Sequence, residues 1–331
     1  MKPFHYIRAG DTSQAIGSAA KEADAMYLGG GTNLIDLMKE GVEGPATLID
    51  INRLPLEKIE PRGAGLRVGA LARNSDVADH PLIRERYPLL SQALLAGASP
   101  QLRNMATVGG NLLQRTRCFY FYDTAMPCNK RQPGSGCGAL QGFNRIHAIL
   151  GASEQCVAVH PSDMCVALAA LDATVQVEGP RGARSIPFAE FHRLPGTTPE
   201  RDTNLEHGEL ITAVDLPESR FAKNAYYLKV RDRASYAFAL ISVAAALDLE
   251  GEKIHSARIA LGGVAHKPWR STEAEKSLAG ASPTHDAFAA AAGIALRDAA
   301  PLRHNQFKVE LAHRTIARAL AVAASGKTES A

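Results

Sequence analysis

Ala25-Met26-Tyr27-Leu28-Gly29-Gly30-Gly31-Thr32-Asn33-Leu34-Ile35-Asp36-Leu37-Met38-Lys39-Glu40 is the stretch on which the reading of this chain turns. Residues 25–28 form a short apolar run, three successive glycines cannot continue it, and residues 33–40 place Leu34, Leu37 and Met38 on one helical side. The order is strand, glycine turn, helix. Residues 47–51, just after Pro45, supply a second strand, so the helix crosses over between strands of an α/β unit. Upstream, residues 4–8 read as a strand and 12–22 as a helix opened by Asp11-Thr12-Ser13; downstream, residues 66–71 add a strand. The glycine triplet matches neither GxGxxG nor GxxxxGK[ST]. Glycines without Cβ do let a pyrophosphate approach the backbone, and the N–H groups of the following helix point at it. A plain tight turn capped by Asn33 accounts for the same residues.

A second turn of this kind follows. In Ala106-Thr107-Val108-Gly109-Gly110-Asn111-Leu112-Leu113 a glycine pair again interrupts an apolar run, after a helix over 81–98 with Leu82, Leu89, Leu90, Ala93 and Leu94 as core residues. Two such turns could grip the two ends of one dinucleotide. Residues 115–158 then lose periodicity and carry four of the five cysteines; irregular loops of that length inside compact domains are usually functional.

The cysteines, Cys118, Cys128, Cys137, Cys156 and Cys165, are separated by 9, 8, 18 and 8 residues. No C-x2-C pair occurs, which argues against zinc ribbons, zinc fingers and thioredoxin-type sites. Four thiols on one loop suit a cluster with a thiolate at each corner, unrelated free thiols being the alternative. Cys165 shares a helix face with Leu168 and Ala169 and reads as a buried apolar thiol outside the site.

Regular structure resumes at His160-Pro161-Ser162-Asp163, a helix start running to about 172, with strands over 175–178, 185–188 and 210–216. Residues 217–223 are the best linker. Beyond it come strands over 225–231, 238–249 and 253–261, then helices over 284–297 and 308–323, with a frayed tail over 326–331. Lys229, Arg231 and Arg233 alternate along a strand, to meet either phosphate or solvent, and Gly262-Gly263 makes a turn anchored by Trp269. No Ser-His-Asp or Cys-His arrangement stands out.

Composition narrows the classes of function. The 331 residues predict about two domains. With 46% apolar and 21% charged residues, disorder, collagen-like repeats and small disulfide scaffolds are excluded. Thirty-seven basic against 34 acidic residues leave +3, too little and too scattered for a nucleic-acid or polybasic membrane surface. No run approaches the roughly 18 apolar residues of a membrane span, and the N-terminus has no secretory h-region, so folding in the cytoplasm is expected.

Residues 28–34, residues 106–112 and Tyr227-Leu228-Lys229-Val230-Arg231-Asp232-Arg233-Ala234-Ser235-Tyr236-Ala237 together resemble the FAD-binding subunit of the xanthine dehydrogenase family of molybdenum hydroxylases, in order and spacing and over nearly the whole chain. The cysteine loop is similar to that of bacterial aldehyde oxidoreductases and 4-hydroxybenzoyl-CoA reductases. The resemblance implies an α+β fold: a two-part vanillyl-alcohol-oxidase-type FAD domain over 1–217, then a smaller α+β domain of the CO dehydrogenase flavoprotein C-terminal type over 224–325. It further implies that Met26, Tyr27, Leu28, Gly29, Gly30, Gly31, Thr32, Asn33 and Leu34 wrap the FAD pyrophosphate. Thr107, Gly110, Asn111, Ser162 and Asp163 would contact the cofactor, Ile211 and Lys229 would line the flavin ring, and Cys118, Cys128, Cys137 and Cys156 would hold one 4Fe-4S cluster.

Partners are implied as well: a small subunit with two 2Fe-2S centres and a large molybdenum subunit that hydroxylates the substrate, this chain passing electrons from FAD to an external acceptor. In some relatives a twin-arginine signal on the small subunit exports the folded complex, so cytoplasmic assembly with a periplasmic destination is compatible with the resemblance. Two other functions compete: a self-sufficient flavin reductase or oxidase of the same fold, and a zinc-binding, non-catalytic scaffold.

Overall fold

A computed structural model describes residues 1–326 of the chain. The tail expectation therefore falls, from residue 327 onward, outside the described residues.

The first fifty residues form the expected unit. β1 (His5–Arg8), β2 (Ala25–Leu28) and β3 (Thr47–Asp50) make a wholly parallel sheet in the order β1-β3-β2. The helix Thr12–Lys21 joins β1 to β2; Asp11 accepts from the Gln14 N–H at 2.7 Å, while the Gly10 N–H donates to Gln14 Oε1 at 2.6 Å. That reciprocal cap satisfies two donors the helix cannot satisfy itself. Ala15, Ile16 and Ala19 are the face it buries. The helix Leu34–Lys39 returns the chain from the glycine turn to β3.

A second, antiparallel sheet takes its strands from both sides of the cysteine loop. β4 (Ile59–Arg62), β5 (Gly65–Gly69), β6 (Thr174–Gly179), β7 (Gly182–Pro187) and β8 (Leu210–Leu216) lie in the order β4-β5-β8-β6-β7. β4 is an edge strand of sequence IEPR, and its polar, proline-bearing pattern hides it from periodicity. The single helix expected over 81–98 is two, Pro81–Arg86 and Pro88–Ala96, because Pro88 forces Tyr87 out of helical geometry.

The third sheet is β9 (Ala225–Val230), β10 (Ile241–Glu250), β11 (Lys253–Gly262) and β12 (Trp269–Arg270), antiparallel in the order β12-β11-β10-β9. Helices Thr272–Leu278, His285–Leu296 and Phe307–Ser325 follow it. β10 is buried on both faces: Ile241, Val243, Ala245 and Leu247 pack into the C-terminal core, while Ala244 and Ala246 belong to the N-terminal core with Leu89, Leu90 and Val166. A strand buried on both sides reads as a continuous apolar run rather than an alternation. β10 begins at Ile241, three residues later than expected, because residues 231–240 form a loop in which Tyr236 has φ +52°.

Where the two halves meet, imidazoles are buried. The His160 backbone N–H donates to the Ala265 carbonyl at 2.9 Å, the His160 and His192 rings lie 4.3 Å apart edge to face, and His192 Nε2 donates to the Leu112 carbonyl at 2.9 Å. Burial pushes His192 down to about 4 and His266 to about 3, and His160 well below its ordinary value. These groups take up protons more readily unfolded than folded. Stability is therefore intact above about pH 7 and lost as pH falls from about 6.5 toward 4. A urea denaturation series is expected to lose about 1.4 kcal/mol per pH unit for each such histidine in that window. His192→Gln should flatten the slope, and an unchanged slope would show that His192 is not among the responsible groups.

Candidate functional site

The two glycine turns meet, and the glycines are what allow it. A Cβ on Gly30 would overlap the Met105 carbonyl oxygen, one on Gly29 would lie 3.1 Å from Thr107 Oγ1, and Gly31 adopts φ +74°. Asn52 Nδ2 braces the first turn by donating to the carbonyls of Leu28 (3.2 Å) and Gly29 (2.9 Å). In the second turn Thr107 caps the short helix Val108–Leu112, its Oγ1 accepting from the Gly110 N–H at 3.2 Å.

Between the turns opens a cavity of about 1030 Å³, lined by residues 26–34, Thr107, Gly110, Asn111, Ser162, Asp163 and Lys229. Sequence positions up to two hundred residues apart thus converge on one wall. Ile211 does not: it lies on β8, buried in the N-terminal core away from the cavity lining. Ser162 caps the helix Asp163–Ala170 by accepting from the Cys165 N–H at 3.0 Å, and its hydroxyl donates to Asn111 Oδ1 at 2.7 Å. Asp163 is the wall's charged node. Its carboxylate accepts from Lys229 Nζ at 2.7 Å and from the Tyr227 hydroxyl at 2.7 Å, and Lys229 also donates to the Ala96 carbonyl at 3.1 Å. Arg231 reaches that same carbonyl, whereas Arg233 lies beyond the strand and turns back to Tyr236, so the three alternating cations do not act together.

The cysteine loop packs beside this cavity. Cys118, Cys128 and Cys156 are buried and Cys137 partly so, all in one apolar cluster with Phe121, Ala139 and Val157. Two one-turn helices, Phe119–Tyr122 and Gly138–Gln141, curl the chain so that backbone N–H groups face sulfur. Those of Phe121 and Tyr120 point to Cys118, those of Ala139, Leu140 and Val157 to Cys137, and that of Ala158 to Cys156. Burial pushes the Cys118 thiol up to about 12 against the pull of its N–H groups. Cys156 hydrogen-bonds to Cys137, which holds Cys137 down at about 6 and raises Cys156. All five cysteines are free thiols. Cys165 packs in the other core, apart from those four; its sulfur and ring nitrogens of His160 and His192 lie within 4.8 Å of one another, a buried group with the donor set of a metal site.

Ion pairs and buried donors hold the loop. Arg115 pairs with Asp202 at 2.8 Å and with Glu43, its backbone N–H donates to Asn33 Oδ1 at 2.9 Å, and buried Lys130 pairs with the same Asp202. Burial would raise the Asp202 carboxyl, but Lys130 and Arg115 outweigh it and hold it below the ordinary carboxylate range. His147 places Nε2 3.1 Å from Cys118 Sγ; burial and the nearby Lys308 ammonium hold its pKa down at about 4. Cys118 and His147 also line the cavity. Asn52, Arg115, Lys130 and His147 escape sequence reading, since a lone polar residue in a coil carries no periodic signal.

Residues 2–219 match the family model described as the FAD binding domain in molybdopterin dehydrogenase, and residues 226–323 match the CO dehydrogenase flavoprotein C-terminal domain. The chain belongs to the FAD-binding subunits of the xanthine dehydrogenase family of molybdenum oxidoreductases. It is 54% identical to the aldehyde oxidoreductase FAD-binding subunit PaoB of Escherichia coli (strain K12), over 98% of this chain and 99% of that protein. It is 31% identical to the glyceraldehyde dehydrogenase medium chain of Sulfolobus acidocaldarius, over 84% of this chain and 81% of that one. Among solved structures, a chain of carbon monoxide dehydrogenase from Hydrogenophaga pseudoflava superposes with a TM-score of 0.77 at 27% identity, covering 99% of this chain and all of that one. The expected α+β fold with its two component domains is the observed one.

The cavity suits FAD on its own evidence. Five polar atoms of residues lining it, Asn33 Nδ2, Asn74 Oδ1, Arg115 Nη2, His147 Nδ1 and His160 Nε2, are buried without a hydrogen-bond partner, as beside a polar ligand's site. Gly30→Ala should push the two turns apart, destabilise the protein by about 1–3 kcal/mol and deplete flavin after gel filtration. Gly17→Ala, where a Cβ meets nothing, should be neutral or gain up to about 1 kcal/mol. Asp163→Asn leaves the Lys229 ammonium buried without its counter-charge and should cost about 3 kcal/mol in chemical denaturation. Adding Lys229→Met should recover much of that loss; additive losses would mean the pair is not coupled.

Proposed function

We propose that this chain is the electron-transfer flavoprotein subunit of a molybdenum-containing aldehyde oxidoreductase and that it carries one 4Fe-4S cluster on Cys118, Cys128, Cys137 and Cys156. The observation that carries the proposal is the adjacency of two built sites. Four uncrosslinked thiols, three of them with backbone N–H groups aimed at sulfur, share one apolar cluster, and one of them, Cys118, lines the cavity that both glycine turns line. N–H groups directed at sulfur are what an electron-rich thiolate cluster needs for stabilisation.

The chain's own residues would then divide the work. The backbone of residues 29–31 and the Thr107 turn would hold the cofactor's pyrophosphate and flavin ends, with Asn33 and Asn74 supplying the unmet donor and acceptor. Asp163 and Tyr227 keep Lys229 fixed at the cavity wall, where its charge is already balanced, so it orients rather than attracts. Bound FAD would supply the conversion between single-electron and paired-electron transfer, and the cluster a one-electron relay site. Hydroxylation of the aldehyde would take place on a large molybdenum subunit. A small 2Fe-2S subunit would deliver the electrons, and an external acceptor would remove them. Aldehyde as the substrate class is supported by the names of the relatives at 54% and 31% identity. Assembly is proposed for the cytoplasm, with export depending on a partner. No helix among the described residues is long and apolar enough to cross a membrane.

Anaerobically purified protein should contain one FAD and about four irons with matching acid-labile sulfide per chain, and no zinc. Cys128→Ser should abolish the iron-sulfur signal and Cys165→Ala should preserve it. Zinc without flavin, or a cluster that survives Cys128→Ser but not Cys165→Ala, would sink the assignment.

A further inference from the structure

We propose that His147 sets the reduction potential of the cluster, as the one side-chain N–H donor to a ligating sulfur among the described contacts; this rests on the ligand set proposed above. Its Nε2 lies 3.1 Å from Cys118 Sγ, in a side chain that is 1% exposed. The other ring nitrogen, Nδ1, is buried without a partner, so sulfur is the only polar group the ring engages. A ligating thiolate has no proton to give. The hydrogen must then sit on Nε2, and the contact is N–H donating to S⁻.

The rest of the molecule holds the ring in that position. The His147 carbonyl accepts from Lys308 Nζ at 2.8 Å and from Asn305 Nδ2 at 3.1 Å, both contributed by the C-terminal domain. Its N–H donates to the Asn144 carbonyl at 3.2 Å, and the next residue, Ala148, donates to Val157 at 2.8 Å, beside Cys156. The Tyr120 ring stands 6.3 Å from the imidazole, centroid to centroid. The backbone of His147 is thus fixed at both its carbonyl and its N–H, and that placement sets the ring against Cys118.

The consequence is electronic. A donor on a ligating sulfur withdraws electron density, stabilises the reduced cluster more than the oxidised one and raises the potential. The backbone N–H groups at Cys118, Cys137 and Cys156 act in the same direction but cannot be removed by substitution, whereas His147 can. It is a tuning and positioning residue, not a ligand. Because its clamp comes from Asn305 and Lys308, the C-terminal domain contributes to the potential of a cluster held wholly by the N-terminal one.

The test is a redox titration of the holoprotein at one fixed pH, followed by electron paramagnetic resonance, for wild type, His147→Gln and His147→Leu. Iron content, flavin content and thermal unfolding are measured on the same samples. Leu, with no donor, should lower the midpoint of the cluster and alter the spectrum of its reduced state; Gln, which keeps an N–H, should fall between Leu and wild type. The FAD midpoint should not follow. Iron retained in all three with an unmoved midpoint overturns the inference. So does iron lost from both variants, which would make His147 a scaffold residue. Wild-type protein without iron instead overturns the ligand set, and iron analysis separates that failure from the other two.

Discussion

One close approach governs this molecule: the carbonyl of Met105 occupies the space that a side chain on Gly30 would fill. The contact locks the small parallel sheet, through the turn after β2, to the segment entering the Thr107 turn. It determines how far apart the two halves of the cavity stand. Around it the polar groups are committed. Arg73 reaches the Met105 carbonyl with one nitrogen and Asn52 with another, and Asn52 in turn holds the carbonyls of residues 28 and 29. The close approach and these hydrogen bonds tie the two turns to each other through the protein's own contacts, the kind of pre-ordering that lowers the cost of binding.

The cysteine loop depends on the same frame. Forty-odd residues with little regular structure would normally be mobile. Here the loop is pegged by charges placed outside it. Arg115 at its start bridges Glu43 and Asp202, Lys130 at its middle pairs with Asp202, and Arg131 donates to the carbonyls of Tyr120 and Phe121, the residues whose N–H groups face Cys118. Arg115 pairs through Nε and Nη1, while its Nη2 is buried without a partner, and Lys130 divides its ammonium between Asp202 and the Pro199 carbonyl. The arrangement orients amides toward sulfur from several sides at once, which apolar packing alone would not do.

How much of this was legible follows from the range of each signal. Local patterns were readable: the strand, glycine turn and helix around residues 25–40, the helix start within residues 160–163, the span of β8, and the separation of Cys165 from the other four cysteines. Each is written in a short contiguous stretch. The glycine triplet reads from sequence either as room for a ligand or as a plain tight turn; what the pattern does not show is that Gly30 makes room for another stretch of the protein's own backbone. Ile211 lies on β8, no residue of which lines the cavity, and where a strand stands relative to a distant cavity is not written in its own pattern. Lys229 was visible as a cation on a strand, but not that Asp163, sixty-six positions earlier, neutralises it. Asn52, Lys130 and His147 carry no pattern at all, since their roles exist only through partners distant in the chain.

The doubly buried strand β10 ties these observations together. Its face toward the C-terminal helices carries Ile241, Val243, Ala245 and Leu247, and its face toward the N-terminal core carries only the small Ala244 and Ala246. Small residues let the sheet approach the helices Pro88–Ala96 and Asp163–Ala170 closely, and that approach brings β9 within reach of the cavity. Tyr227 and Lys229 meet Asp163 because of it, and Asn305 and Lys308 meet the backbone of His147 because of it. The C-terminal domain is thus a wall and a clamp for sites whose main residues lie in the other domain. Enlarging either alanine would push back the wall and the clamp together, so the flavin cavity and the cysteine loop are mechanically one unit.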